Sequence, residues 1–172
     1  ELVELDEVIA EAVAGVRVLA EAQDIRIMVA GDDGLLVFGE EGLLVAAVRN
    51  LLDNAITYSD PHSRVNVGVR SRDGIAEITV VDEGMGISAE DLDRVFERFY
   101  RVDPARTRDT GGTGLGLSIV KHVASEHGGD VSAWSLPGKG STFTMRIPLA
   151  QVHSDELAQS LARSRKPVSE GA

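Results

Sequence analysis

Three short stretches of this chain carry residue types and spacings that can do chemistry. Asp82-Glu83-Gly84-Met85-Gly86-Ile87 places a carboxylate ahead of two spaced glycines, a pattern that lets a flat ligand lie against bare backbone. A buried carboxylate accepts hydrogen bonds and repels a carbonyl oxygen, so such a site would prefer adenine, with its exocyclic amine, to guanine. A hydrogen bond to a charged group of this kind contributes about 1.5–3 kcal/mol. Alone, the pattern also fits an ordinary turn. Asn50 and Asn54 lie four residues apart, with Thr57 and Tyr58 one turn further on, and on a helix these share a face. An asparagine amide oxygen is a hard ligand suited to Mg²⁺, which takes one or two protein groups beside phosphates and keeps most of its waters. Two solvent-facing helix residues would show the same spacing.

The third stretch is rich in glycine: residues 111–118 read GGTGLGLS, and residues 138–142 read GKGST further on. A dinucleotide fingerprint needs G-x-G-x-x-G, but from Gly112 and Gly114 its third glycine falls on Leu117. Gly111 and Gly116 are spaced as in a P-loop, yet Leu117 occupies the lysine position. What survives is the underlying physics. Gly112, Gly114 and Gly116 let backbone N–H groups converge where a helix begins, and a helix N-terminus carries roughly +0.5 charge that suits phosphate. Arg98, Arg101, Arg106, Arg108 and Lys121 lie in the same stretch beside only Asp103 and Asp109, a local positive excess in a chain of net charge −11. That excess points to an anionic ligand, although a solvated loop with stray arginines gives the same count.

Periodicity supplies the elements that must hold these groups. From Asp6, placed to cap, the apolar Ile9, Ala12, Val13, Val16 and Ala20 follow a helical period. Residues 26–29 and 35–38 read as short strands around a Gly-Asp-Asp-Gly turn. A second helix is expected from about Glu40 to Tyr58, burying Leu44, Val48, Leu51, Leu52 and Ala55. Val65, Val67 and Val69 alternate, as do Ala76, Ile78 and Val80 after Asp73-Gly74, which is a hairpin pattern. Ser88 with Asp91 opens a short helix carrying Leu92, Val95 and Phe96. Another helix runs from about Leu115 to His127 and stops at Gly128-Gly129. Residues 131–136 and 141–149 form a last hairpin, with Phe143, Met145, Ile147 and Leu149 on one face. The predicted architecture is a two-layer α/β sandwich, its mixed and mostly antiparallel sheet packed against about three helices on one face. Residues 1–150 form the domain, and residues 151–172 a polar tail expected to fray.

Composition narrows the classes. The 172 residues, 43% of them apolar, suit one globular domain with a sizeable core. A net charge of −11 disfavours nucleic acid and anionic membrane surfaces as general partners. Without cysteine there is no disulfide framework and no thiolate zinc site. The longest apolar run, Leu43 to Val48, is far short of a membrane span, and no signal-peptide pattern opens the chain. The first residue is Glu rather than Met, so a longer parent chain is expected.

In order along the chain stand NLLDNAITYS (50–59), DEGMGI (82–87), FERFYR (96–101), GGTGLGLSIVK (111–121) and GKGSTF (138–143). This series resembles the N box, first glycine box, F box, second glycine box and third glycine segment of the catalytic and ATP-binding domain of bacterial sensor histidine kinases. The resemblance spans residues 1–150 and implies the Bergerat α/β sandwich shared with gyrase-type ATPases. It also implies ATP and Mg²⁺ as ligands. The γ-phosphoryl group would pass to a histidine on a separate dimerisation and acceptor segment of the full-length homodimer, and then to a response regulator. The domain would be cytoplasmic, its parent anchored in the bacterial inner membrane through an N-terminal part outside this chain.

Carried over residue by residue, the resemblance assigns Mg²⁺ to Asn54 and support of the triphosphate to Asn50. Asp82 would bind the adenine amine, with Gly84 and Gly86 shaping the pocket and Tyr58 and Ile87 lining it. Phe96 and Phe99 would anchor a lid from Arg101 to Thr113. Arg101 and the backbone of Gly112, Thr113, Gly114, Leu115, Gly116 and Leu117 would meet the nucleotide, and Thr142 would place a hydroxyl near Asp82. Asn50 and Arg101 are the implied catalytic residues. Gyrase-type ATPases carry a water-activating glutamate at the position of Asn50, so transfer to a supplied acceptor is favoured over hydrolysis. Thr57 departs from the family's usual Lys or Arg, which touches phosphate. None of His62, His122, His127 and His153 lies in the family's H-[ED]-x-x-[TN]-P acceptor context. His122 and His127 read as structural or solvent-facing, and the chain is not expected to phosphorylate itself. The alternative is a nucleotide-binding regulatory module of the same fold with weak or no kinase activity. A Ser/Thr/Tyr protein kinase is excluded by the absence of HRD and DFG motifs.

Overall fold

A computed structural model describes residues 1–98, 100, 116–151, 159 and 161–164. Alternation of period two builds the main sheet. Val65, Val67 and Val69 on β4 (Arg64–Arg72) and Ala76, Ile78 and Val80 on β5 (Ile75–Asp82) are all buried, and the two strands pair antiparallel. β7 (Gly140–Pro148) buries Phe143, Met145 and Ile147 and pairs antiparallel with β5 and with β6 (Asp130–Leu136). β2 (Arg26–Gly31) joins the other edge in parallel to β4, giving the order β2-β4-β5-β7-β6. The sheet is therefore mixed and mostly antiparallel, as expected.

Helices cover one face of it. α3 (Glu41–Tyr58) is central, with α1 (Leu5–Gly15) and α5 (Gly116–Glu126) packed against it. Leu44, Val48, Leu51, Leu52, Ala55 and Ile56 recur at helical spacing along α3 and are at most 1% exposed. Ser59 Oγ closes α3 by donating to the Ala55 carbonyl at 2.6 Å. α5 ends where the Gly128 and Gly129 N–H groups donate to the Ser125 and Ala124 carbonyls. Among the described residues, no helix covers the opposite sheet face. One transverse row there runs Met28, Asn66, Val81, Thr142, Trp134, and Met28 and Trp134 are 52% and 60% exposed. Among the described residues no helix is long and apolar enough to cross a membrane.

Four local expectations are corrected. β2 and β3 (Leu36–Phe38) do not pair with each other across the Gly-Asp-Asp-Gly segment. Asp32 draws the chain along β4 instead, its N–H donating to Val69 and its carboxylate accepting from the Ser71 N–H. β3 then pairs with β1 (Leu2–Glu4), a strand too short to show a period, as a separate two-stranded sheet. Asp6 is no cap: α1 starts at Leu5 after Glu4 with no side-chain cap, and Asp6 accepts from the Gly34 N–H at 2.8 Å. The first helical period is also broken at Val16, beyond which α2 (Arg17–Ala22) is a separate turn. α4 (Ala89–Leu92) opens as expected, Ser88 Oγ accepting from the Asp91 N–H, but it ends before Val95 and Phe96.

Leu51 is fully buried between the sheet and the flanking helices. Leu51→Ala is expected to destabilise the fold by about 2–5 kcal/mol through lost contacts and the cavity left behind. Urea unfolding measures this, and a loss under about 1 kcal/mol would contradict the packing described.

Candidate functional site

The last residue of β5 brings a carboxylate into the interior. Asp82 is 3% exposed, yet among the described residues only backbone donates to it: Oδ1 accepts from the Gly84 N–H at 3.0 Å and from the Ser141 N–H at 3.2 Å. Among the described residues, Oδ2 accepts nothing. Burial raises the Asp82 pKa to about 6, against the pull of the two amides. An ionised group so placed retains an acceptor that only a ligand or water can satisfy.

The loop that follows is held from two sides. The Tyr58 carbonyl, at the end of α3, accepts from the Met85 N–H at 3.4 Å. A Cβ on Gly84 would stand 2.0 Å from that carbonyl oxygen, so this approach requires glycine. On the other side, the Met85 carbonyl accepts from the Gly138 N–H at 2.7 Å, and Ser135 Oγ accepts from the Ile87 N–H at 2.7 Å. Gly86 has φ of 74°, and its Cβ would meet the Leu136 carbonyl at 2.2 Å. The two spaced glycines thus let the loop sit flush against α3 and the β6–β7 hairpin.

Beside this loop is a cavity of about 40 Å³ lined by Asn54, Tyr58, Ile87, Val95, Tyr100 and Leu117. Asn54 and Tyr58 therefore share a face with Ile87 and Leu117, as the spacing of the motifs required. Asn50 lies one helical turn earlier, where α5 begins: a Cβ on Gly116 would be 3.4 Å from Asn50 Oδ1. The segment after α4 is anchored by Phe96, whose ring meets Phe143 of β7 edge-on at 6.0 Å. Tyr100 closes the cavity, its hydroxyl donating to the Asp91 carboxylate and its ring covered by the Arg94 guanidinium at 4.5 Å.

Two assignments change on contact with the geometry. Residues opposite each other on paired strands share a face. Ser141 is opposite Asp82, whereas Thr142 is opposite Val81 on the other sheet face. The hydroxyl on Asp82's face is therefore Ser141, not Thr142. Thr57 is 8% exposed and hydrogen-bonds Asp53 on its own helix, whose carboxyl is pushed up by burial against the opposing effects of Arg49 and Thr57. No motif in the sequence marks Ser135, Ser141 or Tyr100 as a site residue. Their signal is positional: two serines at inward positions of the last hairpin and a tyrosine beside the arginine of FERFYR.

Phe99, Arg101, Gly112, Thr113, Gly114 and Leu115 lie outside the described residues, as do the expected lid and most of the tail. Among the described residues no cluster of His, Cys, Asp or Glu could hold a metal. His127 is structural: its ring contacts the Val123 carbonyl through Nδ1, and Nε2 accepts from the Glu40 N–H at 3.1 Å.

Asparagine at position 82 could keep one oxygen for both amides and carry no charge. Because the folded pKa of about 6 exceeds the ordinary value of 3.8, wild-type stability falls as pH rises between those values. Asp82→Asn is expected to be the more stable protein by about 3 kcal/mol above pH 6, with the gap closing below pH 4. Urea midpoints at both ends of that range test this, and a less stable variant at neutral pH would contradict it.

Comparison with known proteins points to one family. The family described as histidine kinase-, DNA gyrase B-, and HSP90-like ATPase matches residues 39–151. The chain is 50% identical over 157 residues to the sensor-like histidine kinase SenX3 of Mycolicibacterium smegmatis, covering 90% of this chain and 41% of that protein. With the sensor histidine kinase WalK of Bacillus subtilis, identity is 45% over 109 residues, 62% of this chain and 18% of the relative. The chain thus spans less than half the length of these relatives. Among solved structures, the mycobacterial sensor histidine kinase MprB matches with a TM-score of 0.76 at 34% identity, covering 88% of this chain and 99% of that one. Full-length ShkA in complex with AMPPNP gives 0.74 at 25% identity, covering 90% of this chain and 32% of that one. The buried aspartate before two spaced glycines, the paired asparagines of α3 and these matches lead to one assignment: the chain belongs to the histidine kinase-, DNA gyrase B- and HSP90-like ATPase family.

Proposed function

We propose that residues 1–150 bind Mg-ATP and, within a longer parent protein, transfer its γ-phosphoryl group to a histidine on a separate dimerisation and acceptor segment. A response-regulator aspartate would then receive it. The observation that carries this reading is Asp82: a buried carboxylate with one oxygen saturated by backbone and the other unused, next to a cavity walled by Asn54, Tyr58, Ile87 and Leu117. That arrangement suits an exocyclic amine on a flat ring. The AMPPNP held by ShkA supports a nucleotide of this kind.

The donor set also fits the metal. Asn54 supplies a neutral amide oxygen at the cavity and, among the described residues, no acidic cluster surrounds it, so the remaining ligands of Mg²⁺ would come from phosphate and water. Bound there, Mg²⁺ would neutralise charge on the phosphates. Asn50 would support the triphosphate beside Gly116 at the start of α5, with Arg101 and the amides of Gly112, Thr113, Gly114 and Leu115 completing the phosphate site. Tyr58, Ile87 and Leu117 would enclose the base, and Gly84 and Gly86 would let it approach the backbone. Catalysis would rest on positioning and charge neutralisation while the acceptor's ring nitrogen bonds phosphorus and ADP leaves. The SenX3 and WalK relatives are sensor kinases, and a parent protein of that kind would be membrane-anchored outside this domain.

One observation favours the rival regulatory module. Thr57 is buried and hydrogen-bonds Asp53, so it offers no cation to phosphate. Transfer of labelled phosphate from ATP to a histidine-acceptor segment supplied in trans separates the two readings. The kinase reading expects acceptor labelling and none on this domain, and ATP binding without any labelling would favour the regulatory module. Asn54→Ala is expected to remove the effect of Mg²⁺ on nucleotide affinity, as read by calorimetric titration with and without the metal. An unchanged response to magnesium would remove Asn54 from the metal site.

A further inference from the structure

Counting hydroxyl protons in the β6–β7 hairpin gives Ser135 a role beyond holding the loop. Ser135 Oγ accepts from the Ile87 N–H at 2.7 Å, donates to the Gly140 carbonyl at 2.8 Å, and lies 3.0 Å from Ser141 Oγ. A hydroxyl has one proton to give. The contacts of Ser135 with the Gly140 carbonyl and the Ser141 hydroxyl are both satisfied only when Ser135 donates to Gly140 and Ser141 donates to Ser135. The Ser141 hydroxyl, in a residue 5% exposed, then has no proton left for anything else, and its oxygen can only accept. Ser141 stands opposite Asp82 on the same sheet face, and its N–H donates to Oδ1 of that carboxylate. The wall at the end of β5 therefore presents a carboxylate oxygen and a serine oxygen, acceptors both.

We infer that Ser135 is a positioning residue for base specificity: by taking the Ser141 proton it keeps this wall acceptor-only, so that a base with an exocyclic amine is accepted and one with a carbonyl oxygen at that position is refused. The inference rests on the nucleotide reading above and deepens it. Without Ser135 the Ser141 hydroxyl is free to turn and donate, which would relieve part of the penalty against a carbonyl. Asp82 would still oppose it, so selectivity should shrink rather than invert. Deleting the Ser135 hydroxyl also strips partners from Ile87 and Gly140, but that damage weakens every nucleotide alike. The ratio of two affinities isolates the specificity role from the structural one.

The test is calorimetric titration with ADP, and competition of GDP against ADP, on the wild type and on Ser135→Ala, Ser135→Thr, Ser141→Ala and Asp82→Asn. The wild type is expected to prefer ADP by about a hundredfold or more. Ser135→Ala should lower that ratio about tenfold, while Ser135→Thr, which retains a hydroxyl, keeps it. Ser141→Ala should weaken ADP about tenfold and leave GDP unchanged, and it carries the test if Ser135→Ala fails to fold. Asp82→Asn should lose ADP binding; an unchanged ratio in both alanine variants beside that loss overturns the role of Ser135 alone. Absence of ADP binding to the wild type overturns the nucleotide reading and this inference with it.

Discussion

A carboxylate buried with no cation beside it among the described residues is the constraint around which this domain is arranged. Asp82 sits at the end of a central strand, largely removed from water, and among the described residues two backbone amides are the groups that donate to it. Burial wins, and the pKa rises to about 6. Charge-assisted bonds of this kind contribute only about 1.5–3 kcal/mol, less than full hydration would. The second oxygen, which takes no hydrogen bond from the described residues, remains an acceptor for water or for a ligand N–H. The same feature that weakens the fold confers a preference for a ligand N–H.

α3 connects that cost to the rest of the molecule. One face of the helix is locked into the core by Leu44, Val48, Leu51, Leu52, Ala55 and Ile56, all at most 1% exposed. Its rotation is therefore fixed, and with it the directions of Asn50, Asn54 and Tyr58. The Tyr58 carbonyl then receives the loop that begins at Asp82, and Gly116 packs beside Asn50. Packing thus sets the site geometry, with no separate scaffold for the polar groups. Thr57 shows the other side of this coupling: turned inward to Asp53, it belongs to the helix rather than to the site.

Elements with a strong local period were legible in the sequence. The β4–β5 hairpin, α3 and the last hairpin each repeat their apolar residues often enough to fix type, face and buried set. Elements defined by distant partners were not. β1 has three residues and exists because β3 pairs with it from far along the chain, Leu2 opposite Phe38 and Val3 opposite Val37. β2 reads as half of a hairpin and instead runs parallel to β4. Within the site, residue types pointed to Asp82, Asn50 and Asn54, but strand parity decided the hydroxyl. A shift of one residue moves a side chain to the other sheet face, which separates Ser141 from Thr142. Ser135 was invisible for a related reason, because its role depends on three partners that only the folded hairpin assembles.

The most direct test of the account is the affinity of adenosine as a function of pH. Adenosine has the exocyclic amine but no phosphate to titrate, so the protein's own group dominates the profile. If the ionised Asp82 accepts that amine, affinity should be flat above its pKa of about 6. It should weaken as pH falls below that value, by at most about tenfold per pH unit. Affinity that is level or rises through the same range would mean that the Asp82 carboxylate does not read the base.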